Sequence, residues 1–206
     1  MSEKIIRRFA VYPVWEYEQE VIDLNNLSRQ GIQLTLGGCF QSLFRYDNTV
    51  RYIYQLDYQP NIIDKPRYLE MYEAQDWEYI NSTFNGWHYF RKPYREGMSE
   101  EESLIYTDQT SLHEMQNRYA RLLLFCTIYM IFSGFFCLCR AISGSSLALG
   151  IESIAAELLA ICTGYGVYAT RCRQQGRPVP FRLPARVLLP LCILLLILSV
   201  ILQFIV

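Results

Sequence analysis

Three long apolar stretches, residues 122–139, 147–170 and 187–206, dominate the last third of the chain. A hydrocarbon core is about 30 Å thick, and a helix needs ~20 mostly apolar residues to cross it. Each stretch is at or near that length. Lipid offers backbone N–H and C=O groups no water, so a helix, which bonds them internally, is the form expected of each. The chain therefore reads as a soluble domain over 1–95, an acidic linker and connector helix over 96–118, and a three-helix transmembrane unit over 119–206.

Charge divides along the same line. Residues 1–121 carry 13 Lys and Arg against 18 Asp and Glu, whereas residues 122–206 carry six Arg against two Glu. An acidic front part lacks the basic face that phosphate binding needs, so no nucleic acid is expected as a partner. Of the seven cysteines, Cys126, Cys137, Cys162 and Cys192 lie in apolar stretches, Cys139 and Cys172 at their ends, and Cys39 alone in the front domain. That is not a disulfide framework; the expected role is soft packing. His88 and His113, the only histidines, have no ligand spacing to each other or to Cys39, and a structural zinc takes about four such ligands. No G-x-S-x-G, P-loop or G-x-G-x-x-G occurs. No catalytic residue, cofactor or metal site is assigned, and the reading leans away from an enzyme. Residues 1–12 are basic, but Glu16, Glu18, Glu20 and Asp23 follow in place of an apolar core, so no secretory leader is expected.

In the front domain, residues 5–12 read as a strand from their β-branched and aromatic content, ended by Pro13. Val14, Tyr17, Val21, Leu24 and Leu27 recur at spacings of three and four, which predicts a helix over 14–30, with Gly31 as its stop. Strands are predicted over 32–36 and 39–46, joined at Gly37-Gly38, and over 51–59. In the last, Tyr52, Tyr54, Leu56 and Tyr58 alternate with Arg51, Ile53, Gln55 and Asp57, the pattern of a sheet with one packed and one wet face. Pro60 and Pro66 bracket a loop. Tyr68, Leu69, Met71 and Tyr72 mark a short helix, followed by strands over 77–84 and 86–92 with Asn85-Gly86 as the hairpin turn. The sequon at Asn81, on a strand, is treated as chance.

The order strand, helix, strand, strand occurs twice. Residues 30–34 align with 75–79, and 42–46 with 88–92. The expected fold is α+β: a duplicated βαββ unit forming a mainly antiparallel sheet with two helices on one face, followed by three transmembrane helices. The other face is expected to be open.

Several segments carry a family resemblance: Phe9-Ala10-Val11-Tyr12-Pro13-Val14-Trp15-Glu16-Tyr17-Glu18, Arg51-Tyr52-Ile53-Tyr54-Gln55-Leu56-Asp57-Tyr58, and Trp77-Glu78-Tyr79 with Gly86-Trp87-His88-Tyr89-Phe90-Arg91-Lys92. Over roughly 5–95 the chain resembles the DUF2812 family. It departs at Gly31-Ile32, where the family commonly has glycine then tryptophan. The resemblance implies a bacterial cytoplasmic-membrane protein of regulatory character, because family members are often encoded beside PadR-like regulators and often carry membrane helices. It brings no activity or catalytic residues.

Residues 93–110 read as a linker with at most one helical turn. Ser111-Leu112-His113-Glu114 fits a capping box with Ser111 at the cap, opening a helix that runs through Arg118 and Arg121 into the first span. Positive residues stay cytoplasmic. Arg171, Arg173, Arg177, Arg182 and Arg186 follow the second span, against Arg140 alone after the first. The 171–186 loop and the front domain are therefore expected inside and the C-terminus outside, in a multi-pass cell-membrane protein. These arginines also suit lipid headgroups or an anionic effector. Pro178, Pro180 and Pro184 should keep the loop extended.

Glu152 and Glu157 are costly in a span, at about 2.5–3.5 kcal/mol for a carboxylate at mid-bilayer on insertion scales. Tyr129 is expected at the depth of Glu157, and Ser133 and Gln203 near Glu152. Interhelical hydrogen bonding and a proton- or cation-linked site both remain open. Ala156, Ala160 and Gly164 form a small-residue seam for packing within the chain or between copies. On the expected open face, Arg45, Ile53, Trp87, His88 and Arg91 suggest a protein partner. Three functions stand: a binding, sensing or regulatory module acting through a protein partner or a homo-oligomer; a small transport or proton-coupled component using Glu157; and an enzyme using His88, Arg45 or Arg91.

Overall fold

The computed structural model describes residues 5–144 and 146–205. Val206, the expected end of the third span, and the first four residues of the basic N-terminal stretch lie outside the described residues. The chain divides into two compact units, Met1–Arg118 and Tyr119–Val206.

The first unit holds β1 (Ile5–Phe9), a 3₁₀ turn (Val14–Glu16) opening α1 (Tyr17–Arg29), β2 (Ile32–Leu36) and β3 (Gln41–Tyr46). Then come β4 (Tyr52–Tyr58), α2 (Lys65–Glu73), β5 (Glu78–Ser82) and β6 (Trp87–Pro93). The α+β class and the doubled βαββ order hold. The strands form two three-stranded antiparallel sheets, ordered β1-β3-β2 and β4-β6-β5, the same topology twice.

The repeat extends to single residues. α1 and α2 are each followed by a left-handed residue, Gly31 at φ 75° and Asp76 at φ 64°. Glycine adopts that conformation freely; aspartate is among the few others that tolerate it. The ladder shifts between Leu34 and Leu36 in β2, and at the aligned place between Tyr79 and Asn81 in β5. Phe44 and Phe90 occupy matching, buried positions on β3 and β6.

Three ties hold the halves together. Asn81 donates Nδ2 to Gly37 O (2.8 Å) and accepts from Gly37 N at Oδ1 (2.8 Å), so the sequon asparagine joins the ends of β2 and β5. Gly37 must be glycine, because a Cβ there would lie 2.6 Å from the Tyr89 ring. α1 lies along the free edge of β4 through Asn25 and Ser28, covering groups that would otherwise template strand pairing. Gln33, fully buried, donates Nε2 to Asp47 O (3.1 Å) and Val50 O (2.9 Å) and accepts from Tyr54 OH (3.1 Å).

The two helices meet the second sheet from opposite sides. On β6, Trp87 stacks on Tyr17 of α1 at 5.3 Å and Tyr89 OH donates to Glu20 (2.7 Å). The alternate residues His88 and Phe90 meet Tyr68 and Tyr72 of α2 at 5.2 and 4.4 Å. The expected wet face of β4 is therefore covered: Ile53 packs on the Tyr72, Trp77, Phe90, Ile105 cluster, and Asp57 is 1% exposed. Ile105 and Tyr106, in a stretch whose polar composition reads as linker, supply part of that cover. α2 begins at an Asp64 cap that accepts from Arg67 N (3.1 Å), which places Pro66 in the helix's first turn, where proline is favoured.

α3 (Gln109–Gly144), α4 (Leu147–Gln174) and α5 (Ala185–Ile205) follow, each long and apolar enough to cross a membrane. α3 starts earlier than Ser111. Asp108 accepts from Ser111 N (2.8 Å), and an aspartate cap satisfies an otherwise orphaned N–H. In the second unit, Ala156 and Ala160 are buried. Gly134 leaves room for Ala156 and Glu157, and Gly164 faces Thr127; the small-residue seam is thus used within the chain. Thr127 donates to Thr163 (2.8 Å) and Ser153 to Gly134 O (2.9 Å).

Candidate functional site

Among the described residues of the first unit, Asp57 is the most deeply placed carboxylate. β4 alternates between two packed faces, and this position faces α2. Oδ2 accepts from Tyr68 OH (2.6 Å) and Tyr72 OH (3.1 Å). These tyrosines sit one helical turn apart, so both hydroxyls reach one point. Oδ1 accepts from Tyr106 OH and from Arg118 Nη2 (3.3 Å). Arg118 Nε also donates to Tyr58 O (2.9 Å). Three hydroxyls and a guanidinium thus converge on a side chain 2% exposed. Burial, reinforced by the Asp57 charge, pushes Tyr68, Tyr72 and Tyr106 well above the usual phenol range, which keeps all three as donors at neutral pH.

His88 lies opposite Asp57 across the β4–β6 ladder. Its Nε2 is 3.0 Å from Gln59 O, and Nδ1 is buried with no hydrogen-bond partner among the described residues. Burial lowers its pKa, opposed by the Gln59 carbonyl and Asp57 and aided by Lys65. A neutral ring donating from Nε2 fits this environment.

A cavity of about 310 Å³ lies between α1 (Val21, Ile22), β4 (Gln55, Leu56) and the 104–112 stretch, including Tyr106 and Leu112. Its volume and apolar walls are those of a small-molecule pocket.

The proposed partner-face residues do not form one surface. Arg45 belongs to the first sheet and pairs with Asp47 (3.5 Å). Arg91 binds Glu78 (2.8 Å) and covers the Tyr52 ring at 4.4 Å. Trp87 and His88 are buried on opposite faces of β6, and Ile53 packs against the core cluster. Period-two alternation suggests a wet face only when nothing returns to cover it, and here α2 and residues 105–106 do. Asp57 was missed for the same reason. The available signal was a lone carboxylate in a tyrosine-rich strand, with Tyr68 and Tyr72 four apart downstream.

Among the intramembrane residues, Gln203 Nε2 donates to Glu152 Oε2 (3.2 Å), as their depths suggest. Glu157 is exposed at the protein surface, with Oε1 over the space a Gly134 side chain would fill. Tyr129, 58% exposed, makes no hydrogen bond to it; Ser133 is half-buried on α3. Arg171 and Arg173 occupy the last turn of α4, where the helix dipole favours cations. Arg177 and Arg182 lie in the connection, exposed, and Arg186 in the first turn of α5. Tyr165 OH donates to Phe181 O (2.7 Å), pinning the proline-rich connection to α4.

A family model described as "Protein of unknown function (DUF2812)" matches residues 16–128. No curated protein and no solved structure matches.

Proposed function

Because the chain belongs to the DUF2812 family, we propose that it is a membrane-anchored binding or sensing module of regulatory role, acting through contacts with a protein partner or a second copy. The observation that supports this reading is the Asp57 cluster. Tyr106 and Arg118 come from the segment leading out of the domain, and Arg118 sits on the helix that continues to Gly144. Through Arg118 the buried carboxylate is tied directly to the stem of the first apolar helix. The first unit and the arginine-bearing connection face the cytoplasm of the cell membrane, with the C-terminus outside and the arginines at lipid headgroups.

Crosslinking and affinity capture of the full chain from native membranes test this. A protein partner or a second copy should be recovered, and Asp57→Asn should alter the yield. Recovery of neither would refute the reading. An impermeant amine reagent on intact cells should leave residues 5–118 unlabelled; their labelling would overturn the orientation.

One observation favours a second reading, a proton- or cation-linked membrane component. Glu157 lies within a helix apolar enough to span a membrane, and its carboxylate has no hydrogen bond among the described residues. Ionisable groups in spans mark ion pathways. Glu157→Gln should abolish a pH-linked activity, and an unchanged phenotype with normal folding would count against it.

A further inference from the structure

β1 lies at one end of its sheet and pairs with β3 alone among the described strands. Ala10 N donates to Phe40 O (3.2 Å), which fixes the alternation along the strand. The N–H and C=O of Ile6 and Arg8 point to β3, and those of Ile5, Arg7 and Phe9 point away from it. No hydrogen bond to these outward groups is found among the described residues. The edge is open to solvent: Ile5 is 62% and Phe9 80% exposed, and Arg7 is exposed between them.

In the second repeat β4 holds the place of β1, and there α1 covers the edge: Ser28 binds both backbone groups of Tyr52, and Asn25 both of Tyr54. No described element does the same for β1. An edge in that state is where an extended segment adds as a further strand. The side chains of β1 select the occupant. Successive side chains alternate between faces. Ile6 stands opposite buried Phe44, and Arg8 lines a space against α1, so Ile5, Arg7 and Phe9 share the other face, an arginine between two apolar groups. Side chains directly opposite across strands interact, and like charges there repel. Two copies of β1 paired antiparallel over their full length would set Arg7 against Arg7, which disfavours a second copy. A strand with a carboxylate between two apolar residues at alternate positions is the complement: the carboxylate beside Arg7, the apolar groups beside Ile5 and Phe9.

We propose that the outer edge of β1 docks an extended acidic segment of a protein partner, added antiparallel as a fourth strand of the β1-β3-β2 sheet and patterned apolar-x-carboxylate-x-apolar. The charge on Arg7 deters self-pairing and favours this partner at once. The proposal deepens the binding reading above and rests on it in taking the partner to be a protein. A synthetic peptide tests the edge by itself, so its failure is distinct from a failure to capture a partner from membranes.

The test is fluorescence anisotropy of the labelled peptide Ser-Val-Thr-Glu-Thr-Val-Ser, titrated with the full chain in zwitterionic lipid nanodiscs, with empty discs subtracted. The peptide should bind saturably, one per chain, and at least tenfold more weakly when lysine replaces its glutamate. N-methylation of the glutamate and both valines, whose N–H groups would face β1, should abolish binding. N-methylation of the two threonines, whose N–H groups would face away, should change it less than threefold. Saturating peptide should slow hydrogen exchange several-fold at the Ile5, Arg7 and Phe9 N–H groups and leave Ile6 and Arg8, already turned to β3, unchanged. In Arg7→Glu the lysine peptide should bind more tightly than the glutamate peptide. No saturable binding, equal tolerance of the two methylation patterns, indifference to the glutamate-to-lysine change, or exchange slowed without that alternation would overturn the proposal. Protection of the same N–H groups without peptide, growing with chain concentration, would assign the edge to a second copy and overturn it too. Only the Arg7→Glu readout uses a variant, so the others decide the matter even where that variant misfolds.

Discussion

Removing Arg118 should separate two accounts of the Asp57 cluster, one in which the ion pair fastens the exit segment and one in which tyrosines alone hold the carboxylate. Arg118→Met takes away a 3.3 Å contact to Oδ1 and a 2.9 Å bond to Tyr58 O. Removing one partner of a buried pair costs about 3–5 kcal/mol. Here three hydroxyls remain on the carboxylate and the guanidinium is 27% exposed, so about 2–4 kcal/mol is expected. Asp57→Asn keeps an acceptor and lets Arg118 reach water, for about 1–3 kcal/mol. Together the two should fall short of additivity by about 1–3 kcal/mol, since each change removes the same contact. Trp15, Trp77 and Trp87, the only tryptophans, all lie in the first unit and are at most 6% exposed. Urea unfolding of the full chain in mild detergent, followed by their fluorescence, therefore reports that unit. Singles that add within about 0.5 kcal/mol, with Arg118→Met nearly neutral, would refute a fastening role for the ion pair.

Four further outcomes follow from the geometry. Tyr68, Tyr72 and Tyr106 have raised pKa values, so the stability they contribute is present below the unfolded phenol value of about 10 and lost as pH rises beyond it; absorbance titration should show them ionising only with unfolding. The His88 pKa is lowered, so its contribution is present above the unfolded value of about 6.5 and lost as pH falls below it, and His88→Gln should flatten that acid limb in urea midpoints measured against pH. Gly37→Ala would set a methyl 2.6 Å from the Tyr89 ring and should cost about 1–3 kcal/mol, partly recovered by Tyr89→Leu in the same denaturation assay. Gln203→Leu should weaken the helix bundle by about 0.6–1.7 kcal/mol, read from thermal unfolding in detergent, whereas Glu152→Gln, which keeps an acceptor, should be nearly silent.

Membrane character, strand and helix order and the internal repeat were all legible in the chain itself, because each rests on local chemistry. Apolar length sets the spans, period two or 3.6 sets the elements, and Gly31 and Asp76 stop equivalent helices in the same backbone conformation. Gln203 and Glu152 met because depth along a helix follows from counting residues. What only the tertiary structure decided is which side of an element meets another. Residues 105–106 and Arg118 fold back onto β4 and turn a face that alternates like a wet one into a buried site for Asp57. Asn25 and Ser28 reach an edge 24 to 29 residues away. Periodicity encodes how a segment divides its own faces; what covers each face depends on long-range contacts between segments that carry no common pattern.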